Sequence, residues 1–267
     1  MASISRRIAI FAALSLAWLL ITTVVRAETP DSSSAASDPA GAKIGGAERV
    51  LLDAANHERA AHGLSALQWD SALAAAARAH AQRMAQHNTL SHQFSGESPM
   101  QDRARQAGAR FSLVAENVAQ GPTAAGIHTQ WMNSPPHRAN LLDHDLNSVG
   151  IAVVQSGGTL FAVEDFSNAV PTLSLGEQEH KVSSQLSARG LPVNITSGAR
   201  KACNREPGYS DVKPQLVLRY EVSDLSKLPG EVVQKLDGGN FKSAAVGACE
   251  PRNSGEFAGF RIAILLF

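Results

Sequence analysis

Residues 131–142 read Trp-Met-Asn-Ser-Pro-Pro-His-Arg-Ala-Asn-Leu-Leu and are the most informative segment of the chain. A helix is predicted from about Thr123 to Asn133. The pair Pro135-Pro136 ends it, because proline lacks the amide hydrogen that a helix interior requires. A short second helix is expected after the prolines, and His137 lies at its start. The segment therefore places a histidine at a helix–helix junction.

Six further segments agree with this one in order and spacing. They are LLDAANHER at 51–59, GL at 63–64, LQWD at 67–70, SH at 91–92, AENV at 115–118 and VGIAV at 149–153. Together they resemble the CAP superfamily (cysteine-rich secretory, antigen 5 and pathogenesis-related proteins; SCP domain) in its secreted bacterial form. The resemblance implies an α-β-α sandwich over residues 47–168, with a cleft lined by histidines and glutamates.

Helical spacing of apolar residues extends from Ala47 through the second helix. Gly63 is expected to end the first helix, and Asp70 to cap the second. Ser98-Pro99 is expected to open a third helix, with Ser98 as cap, and Gly108 to end it.

Two strands follow the helices. Val149–Gln155 and Thr159–Phe166 flank Ser156-Gly157-Gly158, which is a hairpin signal. Helices followed by an antiparallel sheet predict the α+β class, which agrees with the sandwich that the resemblance implies. The predicted core residues are Leu52, Leu67, Trp69, Leu73, Met84, Val118, Trp131, Leu141, Ile151, Val153, Phe161 and Phe166.

The first 27 residues have the features of a signal peptide: a basic start, an apolar stretch, and small residues around Ala27 for cleavage. An uncleaved anchor is the alternative, because the apolar stretch is nearly long enough to cross a membrane. Residues 28–46 are rich in Ser, Ala, Pro, Asp and Gly and predict a flexible linker. The bulk of the chain is expected to be exported, as a secreted, periplasmic or envelope protein.

The formal net charge is zero, with 24 basic and 24 acidic residues. Nucleic-acid binding requires a clear excess of Lys and Arg on one surface, so no nucleic-acid partner is expected. With 44% hydrophobic residues, the chain can bury an ordinary core.

Residues 171–267 lie beyond the family signature and resemble no family. The alternating stretch Gln215–Val222 and the apolar run Phe260–Phe267 predict a small strand-rich C-terminal module. Cys203 and Cys249 both lie in it, and in an exported chain two cysteines of one module are expected to form a disulfide.

The cleft residues come from the resemblance. It places His92, Glu116 and His137 in the cleft, with Ser134 and Asn117 beside them. Two imidazoles and a carboxylate suit zinc or another divalent metal, with a position left for water. Ser134 stands where many relatives have a second glutamate, and serine is a poor zinc ligand. Glu164 is a candidate replacement acid, although strand alternation could equally point it to solvent.

Each residue also has a structural interpretation. His137 and Glu116 could satisfy local backbone groups, Asn117 could hold a turn, and His92 could be a buried, hydrogen-bonded histidine. His80 and His87 lie on the apolar stripe of their helix and are interpreted as packing or edge residues.

Three functions remain open. The first is a secreted binding module for a small lipid-like, glycan or envelope ligand, with a divalent ion as a modulator. The second is a metal-assisted hydrolase of peptide or cell-wall material, with Glu116 as ligand or general base. The third is a structural protein whose C-terminal module contacts a protein partner.

Overall fold

The computed structural model describes residues 44–207, 213–250 and 258–267. The predicted signal peptide and most of the predicted linker lie outside these residues. Ile44 packs against the core and the first helix begins at Gly46, so the last residues of the predicted linker belong to the folded domain.

Eight helices and eight strands form the described structure. The helices are α1 Gly46–Ala61, α2 Ser71–His87, α3 Met100–Gln106, α4 Ala124–Asn133, α5 Pro135–Leu141, α6 Leu175–Ala188, α7 Ser197–Asn204 and α8 Gly230–Asp237. The strands are β1 Gln68–Trp69, β2 Phe111–Gly121, β3 Ser148–Ser156, β4 Thr159–Ala169, β5 Val193–Ile195, β6 Leu216–Val222, β7 Ala244–Cys249 and β8 Phe260–Leu266.

The first sheet has the strand order β1-β3-β4-β2. β1 pairs with β3 in parallel, whereas β3–β4 and β4–β2 are antiparallel. α1, α4 and α5 pack on one face, and α2 packs on the other. This arrangement is the predicted α-β-α sandwich of the α+β class.

Local signals set several boundaries as predicted. Asp70 accepts hydrogen bonds from the amides of Ala72 and Leu73 at the start of α2. Gly63 adopts φ +72° just after α1, a conformation that glycine adopts without steric cost. Gly157 and Gly158 also have positive φ in the β3–β4 hairpin, as the two-residue turn requires.

Two expectations need correction. Ser98 is not the cap of α3, because Pro99 is extended (φ −54°, ψ 156°) and occupies the N-cap position itself. Pro135 and Pro136 end α4 but also begin α5, where their missing amide hydrogens cost nothing. β2, which carries Glu116, was not predicted because its sequence lacks regular alternation of apolar and polar residues.

The predicted core is confirmed for ten of its residues, which are buried. Trp69 and Val153 are only partly buried, although both pack against the same cluster.

β2 is an edge strand, and side chains from the neighbouring helices cover its outward carbonyl groups. Trp131 Nε1 donates to the carbonyl oxygen of Val118 (3.2 Å), and Gln130 donates to that of Gln120 (3.3 Å). Asn140 Nδ2 donates to that of Glu116 (3.3 Å). These bonds hold α4 and α5 against β2 and protect an edge that would otherwise pair with another strand.

The strands β5, β6, β7 and β8 form the second sheet, with the order β5-β7-β8-β6. The strands that the alternating stretch and the terminal run predict are confirmed as β6 and β8. The predicted disulfide between Cys203 and Cys249 is present, with the Cα atoms 5.8 Å apart. Helices α6, α7 and α8 were not predicted, and they cover the sheet.

In the described residues, none of the helices combines the length and apolar character that a membrane crossing needs.

Candidate functional site

The candidate site lies at the edge of the first sheet. Glu116 and Asn117 are neighbours on β2, so their side chains point to opposite faces. Glu116 faces the layer of α2 and α3, and Asn117 faces the layer of α4 and α5.

Glu116 is held by two positively polarised partners. Arg103 of α3 donates to Oε2, and His92 Nδ1 lies 2.8 Å from Oε1. The Glu116 and Arg103 side chains are only 6% and 7% exposed, whereas that of His92 is 61% exposed. The buried ion pair therefore forms the floor of the site, and the imidazole forms its solvent-facing surface.

Arg103 also fixes the backbone that presents His92. Its Nη1 donates to the carbonyl oxygen of His92 (3.2 Å) and to that of Ser98 (3.4 Å). Arg103 was not among the predicted site residues. The signal available was its place beside Ala104 on the buried side of α3, where an arginine requires a partner.

Asn117 positions the second histidine rather than facing the cleft. Its fully buried amide donates to the carbonyl oxygen of His137 (3.1 Å) and accepts from Asn140 (3.0 Å). These bonds hold the start of α5 against β2. The predicted role of Asn117 as a lining residue is therefore replaced by a role in support.

His137 and Ser134 form a separate pair. His137 Nδ1 lies 2.8 Å from Ser134 Oγ, and both residues are partly buried. Within the described residues no hydrogen bond joins His137 to His92 or Glu116. The two imidazoles are nevertheless near enough to interact electrostatically, because proximity to His92 lowers the pKa of His137.

The electrostatics separate the two histidines. The hydrogen bond to Glu116 raises the pKa of His92, against the opposing effect of partial burial. Burial lowers the pKa of His137, and the charge of His92 lowers it further. As pH falls, His92 takes up a proton before His137 does.

Two acids lie behind the site. Asp165 is opposite Glu116 in the β2–β4 register, and burial, then the charge of Glu116, raises its pKa well above the usual range. Glu164 is opposite Asn117, and burial raises its pKa to about 8. Both side chains are fully buried. The suggestion that Glu164 lines the cleft or faces solvent is therefore wrong, because alternation places it inside, on the face opposite Glu116.

The predicted zinc ligands do not fit a resident metal as they are arranged. Donor atoms in a tetrahedral zinc site lie about 3.3–3.8 Å apart. In the described part of the chain, only the trio Asp143, His144 and Asp145 brings three ligand-type atoms within 4.8 Å of one another, and Asp143 is partly buried whereas the other two are exposed. Moreover, both oxygens of Glu116 already have partners. Metal-assisted hydrolysis stays a prediction, which zinc analysis of the purified protein would test.

His80, which was predicted to be a packing or edge residue, holds the loop before His92 in place. His80 is fully buried, and its two ring nitrogens contact Glu97 (2.9 Å) and the carbonyl oxygen of Ser91 (2.7 Å). His87 is exposed and stacks on Phe94, with 4.8 Å between ring centroids. His87 is therefore an edge residue, as predicted, whereas His80 joins α2 to the loop that contains Ser91 and Glu97.

The fold and the site define a class: an α-β-α sandwich with a histidine–glutamate cleft at its sheet edge. Residues 52–166 match the family model of CAP, the cysteine-rich secretory protein family. Residues 52–166 of this chain are therefore a CAP domain.

Two relatives come from Bacillus subtilis strain 168. The uncharacterised protein YkwD is 33% identical over 111 residues, which are 41% of this chain and 43% of YkwD. The uncharacterised membrane protein YlbC is 34% identical over 110 residues, 40% of this chain and 31% of YlbC. The matched segment thus spans less than half of either relative.

Solved structures with similarity include an extracellular SCP-domain protein from Bacillus anthracis, at 28% identity and TM-score 0.42. The alignment covers 45% of this chain and 39% of that protein. An outer surface protein from Borrelia burgdorferi aligns at 20% identity and TM-score 0.45, over 48% and 96% of the two chains. The family assignment follows from the sequence match over residues 52–166.

Proposed function

We propose that this protein is exported and that its CAP domain is a binding module for a small amphiphilic ligand of the cell envelope. The observation that carries the proposal is the fixed but exposed imidazole of His92. Its Nδ1 is tied to Glu116, and within the described residues its Nε2 has no partner. A ring that is held at one nitrogen and open at the other is suited to hydrogen-bond a ligand.

The surroundings favour a polar or anionic ligand group. Arg103 neutralises Glu116, so the site floor carries no net charge, and a protonated His92 adds a positive charge at the surface. Ser134 and His137 supply further hydroxyl and imidazole groups. Hydroxyl, carboxylate and phosphate oxygens all match these donors.

An apolar groove lies on the same α4–α5 segment that supplies Ser134 and His137. It is lined by Met132, Asn133, Pro135, Arg138, Ala139 and Leu142 and has a volume of about 390 Å³. That volume lies within the range of small-molecule sites. An apolar wall with one arginine suits the chain of an amphiphile, which favours a lipid-like ligand over a plain glycan.

Export is supported by two independent features. The signal-peptide pattern of residues 1–27 predicts translocation. The disulfide between Cys203 and Cys249 is typical of an oxidising compartment.

The test is a titration of the oxidised, signal-free protein with decanoate and with a lysophospholipid, followed by calorimetry. We expect saturable binding of at least one amphiphile. In His92→Ala the affinity should fall about tenfold or more, since a hydrogen bond to a charged group contributes roughly 1.5 kcal/mol.

His144→Ala is the matched control, because His144 is exposed but lies outside the cleft. It should bind as the wild type does. Absence of saturable binding, or unchanged affinity in the double variant His92→Ala/His137→Ala, would contradict the proposal.

A further inference from the structure

The two sheets have the same topology. In the second sheet β5, β7, β8 and β6 occupy the places of β1, β3, β4 and β2. β5–β7 is parallel like β1–β3, and the other two pairings are antiparallel in both sheets. The order of these strands along the chain is also the same.

The helices repeat as well. α6 and α8 pack on one face of the second sheet, as α1 and α4 do on the first. α7 follows β5 directly and packs on the opposite face, as α2 follows β1. The described residues between 171 and 267 therefore form a second α-β-α sandwich, in which we count three helices.

Local contacts repeat at matching positions. Thr196 caps α7 immediately after β5, as Asp70 caps α2 immediately after β1. In the central strands, a Cβ on Gly150 would lie 2.0 Å from the Ala74 amide nitrogen, and one on Gly247 would lie 2.2 Å from the Arg200 amide nitrogen. Each glycine thus admits the first turn of the covering helix.

A buried glutamate also recurs in the first helix of each sandwich. Glu48 accepts from Arg78 of α2 (2.6 Å) and from the Val153 amide (3.2 Å). Glu179 accepts from Arg200 of α7 (2.6 Å) and from the Ala248 amide (2.9 Å). Each glutamate ties two helices to a central strand.

The strand registers identify the counterpart of the CAP cleft. Gly150 pairs with Asp165, which pairs with Glu116. Gly247 pairs with Ala263, which pairs with Arg219. Arg219 therefore stands on β6 where Glu116 stands on β2, and on the face that carries α7, as Glu116 faces α2.

Arg219 lines a pocket of about 180 Å³ at this position. The lining residues are Cys203, Arg205, Arg219, Tyr220, Glu221, Arg261 and Ile262. Three arginines and one glutamate give the lining an excess of positive charge.

The arginines retain donors for a ligand. Arg219 uses Nε to bind the carbonyl oxygen of Ala202 (2.6 Å), which leaves its two terminal nitrogens. Arg261 binds the carbonyl oxygens of Glu250 (2.6 Å) and Cys203 (3.3 Å). Arg205 is exposed, and its guanidinium has no hydrogen bond or ion pair within the described residues.

We propose that the C-terminal module is a second CAP-like sandwich with an arginine at the position of Glu116, and that Arg205, Arg219 and Arg261 bind the carboxylate or phosphate group of an anionic ligand. Guanidinium groups match these oxyanions because each presents parallel N–H donors. The site is distinct from the His92 cleft and does not depend on that cleft binding a ligand.

The experiment titrates the oxidised, signal-free chain with inorganic phosphate and, separately, with acetate, at constant ionic strength. Arginine Nε–Hε resonances report binding. We expect saturable shifts for Arg205 and Arg219, and the stronger of the two probes identifies the class of anion. Arg205→Met and Arg219→Met should each weaken binding about tenfold.

Arg189→Met is the control, because Arg189 belongs to the same module but pairs with Asp237. It should bind as the wild type does. Arg219→Met also loses the hydrogen bond to the Ala202 carbonyl oxygen and could fail to fold. In that case the binding measured for Arg205→Met is the test.

Absence of saturable shifts with both anions would overturn the proposal and leave Arg219 and Arg261 only as donors to the α7 carbonyl oxygens. Binding that is unchanged in Arg205→Met would overturn it too. Binding lost in His92→Ala instead would assign the anion to the other cleft and would equally overturn it.

Discussion

His80 and Ser91 are joined by a hydrogen bond of 2.7 Å between His80 Nε2 and the carbonyl oxygen that directly precedes His92. On its other side, His80 Nδ1 lies 2.9 Å from the Glu97 carboxylate. His80 therefore bridges the Glu97 carboxylate and the Ser91 carbonyl oxygen, and so links α2 to the loop that carries His92. Burial tends to raise the pKa of Glu97, but hydrogen bonds from Phe94 and His80 lower it overall.

We therefore predict that His80→Ala loosens the loop that carries His92. It removes the His80 hydrogen-bond partner of the buried Glu97 carboxylate and of the Ser91 carbonyl oxygen, which typically costs about 1–3 kcal/mol, because Arg83 and Arg103 remain near Glu97. Urea unfolding measures the loss, and amide hydrogen exchange should show residues 91–98 losing protection. His87→Ala removes only an exposed stacking contact from the same helix and serves as control. Equal exchange in the two variants would show that His80 does not hold the loop.

Arg103 and Glu116 lead to a prediction about metal. The guanidinium occupies the carboxylate that a zinc ion would need, so the wild-type cleft should not retain stoichiometric zinc after dialysis. Arg103→Met frees Glu116 Oε2 and should raise zinc affinity, measured by calorimetry at neutral pH. The His92 and His137 side chains would still have to reorient, so the gain is expected to be modest.

Arg105→Met is the matched control, because Arg105 lies on the same helix and pairs with Asp102 instead. It should leave zinc binding unchanged. One equivalent of zinc retained by the wild type, and lost in His92→Ala/His137→Ala, would show that Arg103 yields to the metal and would restore the metal-site prediction.

Gly150 is required by close packing rather than by backbone conformation. A Cβ at this position would lie 2.0 Å from Ala74 N and 2.3 Å from Leu73 C, both main-chain atoms at the start of α2. Gly150→Ala forces the helix away from β3 and should lower the free energy of unfolding by at least about 2 kcal/mol. Gly247→Ala should do the same against α7.

Gly46→Ala provides the comparison, since its Cβ would meet nothing within 4 Å. Alanine is the better helix former, so this variant should be neutral or stabilised by up to about 1 kcal/mol. Equal stability of Gly150→Ala and Gly46→Ala in urea unfolding would refute the packing argument.

The sequence predicted the features that arise from local signals. Gly63, Asp70 and the Gly157-Gly158 turn act within a few residues of themselves, so their roles could be inferred without the fold. The pairing of Arg103 with Glu116, thirteen positions apart, depends on how α3 lies over β2. Neither spacing nor composition encodes that contact.

The site residues divide in the same way. The family resemblance named His92 and Glu116, and the structure brings these two into contact. The resemblance did not distinguish residues that face the cleft from residues that support it. Asn117 is a supporting residue. The duplicated topology could not be predicted from the sequence either, because β5 and β7 pair across about fifty residues and the two halves share no evident motif.

Glu164 gives the final prediction, which concerns pH. Burial raises its pKa from 4.5 to about 8, and the nearby Asn117 amide lowers it only slightly. Among the described residues neither carboxyl oxygen has a hydrogen-bond partner of normal geometry. The folded protein thus binds this proton more tightly than the unfolded chain does.

The sign follows from proton linkage. Between pH 4.5 and about 8 the folded state holds a proton that the unfolded state has released, so stability falls as pH rises through this window. Glu164→Gln keeps the shape and removes the titration, so urea unfolding should show a smaller fall across the same range. The free energy of unfolding of the variant minus that of the wild type should therefore be larger at pH 8 than at pH 5. Parallel stability curves for wild type and variant would mean that Glu164 is hydrated and titrates normally.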